Sequence, residues 1–211
     1  IMAVIKKNSM TEQVFDGISA VYAVQGGFTM SKTSEHTVDI TGKDLVELPC
    51  SESSGVSING GTPSTTVFRV HGLNAPWTSH ITPGDAEVTL QVPTYDSRVL
   101  SLIYGSAYSS NDMVFPVPSG TLSDETIETL KGKSFAFPEK AVNLGLLIIN
   151  DTEDKALFIK KVKLLASPEF AGEDVPFVVN LTGTVASGGD LDAMAILEPE
   201  ANSETPSSNP G

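Results

Sequence analysis

The stretch Asp85-Ala86-Glu87-Val88-Thr89-Leu90-Gln91-Val92-Pro93 decides how the chain is read. Ala86, Val88, Leu90 and Val92 fall on one side, and Glu87, Thr89 and Gln91 on the other. Such period-two alternation marks a strand with one side on a core and the other facing water or a partner. A short helix is predicted just after it. Thr94-Tyr95-Asp96-Ser97 offers an N-cap, Val99, Leu100, Ile103 and Tyr104 recur at three- and four-residue spacing, and Gly105 suits the helix end.

Outward from this centre the chain reads as further strands. Phe177, Val179, Leu181 and Val185 share a side, with Val178, Asn180, Thr182 and Thr184 opposite. Ile18 to Val24 puts Ile18, Ala20, Tyr22 and Val24 on one face, and Val67 to His71 is another short strand. Leu146 to Ile149 is apolar on both sides, which places it centrally in a sheet. It runs through the polar turn Asn150 to Lys155 into Ala156 to Leu165, a hairpin signature. In that second arm the apolar phase switches from Leu157 and Ile159 to Val162 and Leu164, so a β-bulge is predicted near Lys160-Lys161. A second helix is predicted over 121–131, capped by Thr121 or Ser123, with Asp124 and Glu125 at its positive end and Gly132 closing it. Segment 51–66, rich in Ser, Gly and Thr, and segment 106–120 read as loops. The expected organisation is an N-terminal arm (1–16), one β domain (17–198) and a flexible C-terminal tail (199–211). The fold class is mainly β, an antiparallel sandwich or barrel with one or two short flanking helices.

Composition agrees with strands joined by turns. Of 211 residues 40% are hydrophobic, enough for a sizeable core, and Gly (18) and Pro (13) are frequent. Acidic residues number 26 against 13 basic, and only Arg69 and Arg98 are arginine. A net charge of -13 argues against a grip on nucleic acid, whose phosphates are held by Lys and Arg. The single Cys50 excludes an intramolecular disulfide and fits a reducing compartment. The longest apolar run, Leu144 to Ile149, falls far short of the ~18 residues of a membrane span. No signal-peptide core is visible, so the chain is expected in the cytoplasm where it is made.

Catalytic signatures are missing. His36, His71 and His80 lie at no metal-binding spacing and none is near Cys50. Neither a G-x-S-x-G elbow nor a phosphate-binding glycine loop occurs. Asp151 and Asp154 sit in a turn, where solvation accounts for them. Trp77, after Pro76, reads as a plug at the end of a sandwich, or alternatively as an aromatic binding platform. No enzyme activity and no cofactor are expected.

The strand Asp85 to Pro93 followed at once by the helix Tyr95 to Tyr104, with its Arg98-Val99-Leu100-Ser101-Leu102-Ile103-Tyr104-Gly105 core, resembles the centre of major tail tube proteins of long-tailed, lambda-type bacteriophages. The surroundings agree in order: an opening strand at Gly17 to Val24, a long loop at Cys50 to Thr66, a strand pair at Gly145 to Leu165, and a closing strand ending Asn180-Leu181-Thr182-Gly183-Thr184-Val185. Segment 106–132 is longer than the resemblance leads one to expect. The resemblance implies a structural subunit of the virion tail, made in the host bacterial cytoplasm, whose six copies form rings that stack into a conduit for DNA ejection. Its partners would be copies of itself, other tail proteins, and phage DNA passing without tight binding, with no membrane. Open sheets leave unpaired backbone groups at their edges, and copies side by side remove those edges by closing a barrel. The polar faces Glu87, Thr89, Gln91 and Asn180, Thr182, Thr184 are the candidates for the lumen wall, because they alternate cleanly and carry no basic residue. Lys6, Lys7, Phe15, Val56, Ile58 and Pro63 are candidates for contacts between rings. The alternatives are another virion β-sandwich, such as a tail terminator or capsid decoration protein, and an interaction module unrelated to phages.

Overall fold

The computed structural model describes residues 17–32, 36–50, 55–69, 71, 78–94, 96–118, 120–121, 128–169, 177–186 and 193–199. The strands are β1 (Ala20–Gln25), β2 (Thr29–Lys32), β3 (His36–Asp39), β4 (Val46–Leu48), β5 (Val56–Asn59), β6 (Ser64–Phe68), β7 (Thr78–Thr82), β8 (Glu87–Val92), β9 (Tyr108–Pro116), β10 (Thr129–Phe135), β11 (Val142–Ile149), β12 (Ala156–Glu169), β13 (Val178–Val185) and β14 (Met194–Leu197). Among the described residues there is one α-helix, α1 (Ser97–Tyr104), between β8 and β9. The fold is mainly β and antiparallel. Its main sheet has eight strands in the order β4-β1-β11-β12-β13-β8-β5, with β14 also on β12. Three two-stranded ribbons, β2–β3, β6–β7 and β9–β10, complete it. Among the described residues no helix is long and apolar enough to cross a membrane.

The β11–β12 hairpin is the spine. Its register steps from Leu144↔Val162 to Leu146↔Ile159, so Lys160 and Lys161 together face Gly145. This is the bulge expected from the switch of apolar phase, and it keeps Ile159, Val162 and Leu164 all on the core side. Backbone groups freed there recruit other segments: Lys160 O accepts from Phe28 N at 2.9 Å, Lys160 N donates to Ala193 O at 2.9 Å, and Lys161 O accepts from Ala186 N at 2.9 Å. Opposite the bulge the Phe28 ring lies over Gly145, where a Cβ would come within 2.5 Å of Cδ2. Beyond it β12 splits its partners, β14 along Ala156 to Ile159 and β13 along Val162 to Glu169.

One side of the sheet carries the main core: Val88, Leu90 and Val92 of β8, Leu144, Leu146 and Ile148 of β11, and Val179 and Leu181 of β13, closed by Val99, Leu100, Leu102, Ile103 and Tyr104 of α1. Burying each such side chain contributes about 1.5–3 kcal/mol. The helix begins as expected, with the Asp96 carboxylate accepting from Arg98 N at 2.7 Å, and ends on Gly105 at φ 54°. Residues 105–107 continue as a 3-10 turn into β9.

The other side is divided. Around β1 it is apolar and covered: Ala20 and Tyr22 pack with Ile149 and Ala156, and Val24 packs with Phe28 and Phe158. Met30 and Val38 of the β2–β3 ribbon and Leu45 lie over these clusters. β1 is therefore buried on both faces, with Val21 and Ala23 in the main core, whereas the alternation had suggested one buried face. Around β13, β8 and β5 the same side is polar and open.

Several expected boundaries change. Segment 51–66 is not a loop throughout, because β5 pairs with β8 (Val56↔Leu90 to Asn59↔Glu87) and β6 begins at Ser64. The strand expected at 67–71 ends at Phe68, and His71 lies in a turn. Segment 106–120 contains β9. Thr129 to Lys131 of the expected second helix belong to β10, with Gly132 inside the strand, because pairing with β9 (Thr129↔Pro116 to Lys133↔Asp112) overrides a weak helical spacing. Positions 122–127 of that helix, Trp77, the arm 1–16 and tail residues 200–211 lie outside the described residues.

Candidate assembly surfaces

The two polar faces picked out on separate strands meet in space. β8 and β13 pair antiparallel with Glu87↔Thr184, Thr89↔Thr182 and Gln91↔Asn180 in register. Residues opposite each other in such a pair share a face with Cβ atoms about 4.5–5.5 Å apart. The six side chains thus form three adjoining rows on the side away from α1, since Val88, Leu90, Val179 and Leu181 occupy the helix side. The rows continue onto neighbouring strands. β5 adds Asn59 beside Glu87 and Ser57 beside Thr89. β12 adds Lys163 beside Thr184, Leu165 beside Thr182 and Ser167 beside Asn180. A chain of hydrogen bonds ties the third row: Gln91 Nε2 donates to Asn180 Oδ1 at 3.4 Å, and Asn180 Nδ2 donates to Glu169 Oε2 at 2.6 Å. Across four strands the wall carries Glu87 and Glu169 against Lys163, a cation that sequence reasoning missed because it looked at β8 and β13 alone.

Among the described residues β5 pairs with β8 only and β4 with β1 only along the main sheet's path. Each of these end strands therefore has one edge that no other described strand joins, and such edges are the ones most ready to take a neighbour. Val56 and Ile58, expected between rings, instead turn half-buried toward the main core, because their register opposite Leu90 and Val88 puts them on the apolar side. Pro63 is exposed just before β6. Lys6, Lys7 and Phe15 lie outside the described residues. The β6–β7 and β9–β10 ribbons are exposed along most of their length, with Val67, Phe68, Ile81, Met113, Val114, Phe115 and Leu130 among the exposed large hydrophobics.

Two other clusters of polar groups are tied together by hydrogen bonds. In the β11–β12 turn Asn150 is buried; its Oδ1 accepts from Lys155 N at 2.9 Å and its Nδ2 donates to Asp154 Oδ1 at 2.7 Å. The Thr152 hydroxyl also donates to Asp154, and Lys155 Nζ lies 3.1 Å from the other carboxylate oxygen. Those bonds, Thr152 first and then Asn150, hold the Asp154 carboxyl at about 2, so it carries no proton at neutral pH. Asp154 is thus a structural turn residue held by neighbours rather than a solvated one. A cleft of about 380 Å³ is lined by Val24, Gln25, Gly42, Lys43, Asp44, Val46, Arg98, Ser101 and Leu102. Arg98 Nη2 donates to both Asp44 oxygens at 2.6 and 2.7 Å, and Lys43 Nζ to Gly27 O at 3.4 Å. This exposed ion pair adds little stability. Among the described residues no His, Cys, Asp and Glu side chains gather as a metal site.

The sequence matches no protein family model, and no curated protein matches it.

Proposed function

We propose that this chain is a structural subunit of a bacteriophage tail tube, assembling into stacked, six-membered rings through which DNA passes. The supporting observation is the part of the sheet around β8 and β13, apolar on one side and polar on the other. Its helix side is an apolar core, while the other side of β8 and β13 is a polar wall of Glu87, Thr89, Gln91, Asn180, Thr182 and Thr184 that ends at β5, whose outer edge no other described strand joins. Joined edge to edge, copies would set these walls around a common axis. The lining would be hydroxyl and amide groups with a weak negative excess, repelling phosphates within a screening length of about 8 Å at physiological salt. One lysine per copy, Lys163, in the same row as Glu87, gives the phosphates little to hold, so DNA could slide without adhering.

The test is negative-stain electron microscopy of the purified protein at high concentration. Hollow tubes with a regular axial repeat are expected. Discrete rings that never stack would favour a terminator-like role, and single molecules at every concentration would overturn the reading.

A further inference from the structure

Two ribbons offer apolar faces that nothing within the described chain covers. In β9–β10, Phe115 stands opposite Leu130, and Met113 lies two residues along on the same face. They are 57%, 47% and 59% exposed. The reverse face carries Asp112, Val114, Lys131 and Lys133, with Lys133 Nζ 2.7 Å from Asp112. In β6–β7, Thr65↔Ile81 and Val67↔Ser79 put Ile81 (64% exposed) and Val67 (43%) diagonally on one face. A lone two-stranded hairpin is marginally stable in water, and exposed apolar faces on one mark an interaction site.

We infer that the Met113, Phe115, Leu130 face of β9–β10 docks on the Val67, Ile81 face of β6–β7 in a second copy of this chain. Among the described residues these are the strand pairs with two or more strongly exposed large hydrophobics on one face. Neither face carries a charge, which matters in a chain of net charge -13, where most surfaces repel their copies. Docking one ribbon on the other covers both faces at once; self-pairing of either would leave the other bare. The arrangement is head-to-tail, the kind that closes rings or extends filaments. Five residue pairs at ~3.4 Å rise and ~4.8 Å strand spacing cover on the order of 150–200 Å². A stable pair needs about 800 Å² on each partner, so the ribbons supplement joined sheet edges rather than hold two copies alone. The inference rests on the tail-tube reading and names one of its contacts.

Disulfide trapping tests it. Leu130→Cys and Ile81→Cys proteins are prepared separately, oxidised alone and as an equimolar mixture, with Phe115→Cys and Val67→Cys as a second pair. Both positions are exposed, and unchanged far-UV circular dichroism and melting confirm each fold. The mixture is expected to give at least tenfold more covalent dimer than either protein alone, and Phe115→Glu to raise the concentration needed for assembly at least tenfold. Dimer from Leu130→Cys alone would mean ribbon self-pairing and overturn the inference. No dimer in any sample, with the parent still assembling, would overturn it and leave the tube reading standing. A parent that never assembles would remove both.

Discussion

Gly183 sits in β13 between Leu164 of β12 and Val88 of β8, both fully buried. A Cβ there would run into the Lys163 carbonyl oxygen and lie 2.7 Å from its carbon and 3.0 Å from Leu164 Cα. No rotamer change relieves a clash with backbone, so Gly183→Ala must drive β13 away from β12. A displacement on the order of 1 Å takes the flanking ladder bonds out of hydrogen-bonding range. Each buried group left unpaired costs about 1–3 kcal/mol, and loosened packing around Leu164 and Val88 adds to it. The expected loss is about 3–5 kcal/mol, a large part of the 5–15 kcal/mol that holds an ordinary domain together. Gly132, inside the exposed β10, is the control, because nothing lies within 4 Å of its added Cβ. Gly132→Ala should be neutral or stabilise by up to about 1 kcal/mol. Urea unfolding followed by far-UV circular dichroism separates the two. With a slope of about 2 kcal/mol per molar, Gly183→Ala should unfold ~1.5–2.5 M earlier than the parent. If both alanine variants unfold at the same urea concentration, the close approach of β12 and β13 is not real.

The acid side of the stability curve follows from Asp154, held at about 2 against an ordinary value near 3.9. Its contribution is complete above about pH 4 and is lost as pH falls through 2. The parent's urea midpoint should drop between pH 5 and pH 2.5, and Asp154→Asn should flatten that drop. Burial pushes the Cys50 thiol up to about 12, so the fold disfavours its thiolate and that stabilising share fades as pH rises above about 8.5. Iodoacetamide at pH 8 is expected to label folded protein at least tenfold more slowly than urea-unfolded protein, and equal rates would contradict the burial. If the polar wall lines a lumen as proposed, Thr89→Lys with Thr182→Lys should leave assembly intact yet make the assemblies bind duplex DNA at low salt and release it at high salt, read by co-sedimentation; assemblies that stay inert would contradict that placement.

The sequence spoke clearly where one physical pattern governed a segment alone. β8 and β13 alternate because each has one side on the core, and α1 carries its cap at Asp96 and its stop at Gly105. The bulge at Lys160-Lys161 was legible because an extra residue reverses which positions are apolar. Legibility failed where a partner strand distant in sequence decided the outcome. β1 has a second buried side because Phe28, Leu45 and Phe158 cover it; the unbroken apolar run Ala20 to Val24 carried that signal, and reading alternate positions alone passed over it. Thr129 to Phe135 is a strand because β9 lies beside it. β5 hid in a stretch rich in Ser and Gly whose pattern is weak without β8. For the candidate wall, alternation put the polar side chains of each strand on one face, but only register showed that Glu87, Gln91 and their neighbours adjoin Thr184 and Asn180, and that Lys163 borders them.

The idea underlying all of this is that the chain is completed by copies of itself, and sedimentation across a wide concentration range tests it most directly. The account predicts that a 22.2 kDa species gives way to particles near six times that mass and then to longer assemblies as concentration rises. A single 22.2 kDa boundary, unchanged up to the highest attainable concentration, would contradict it.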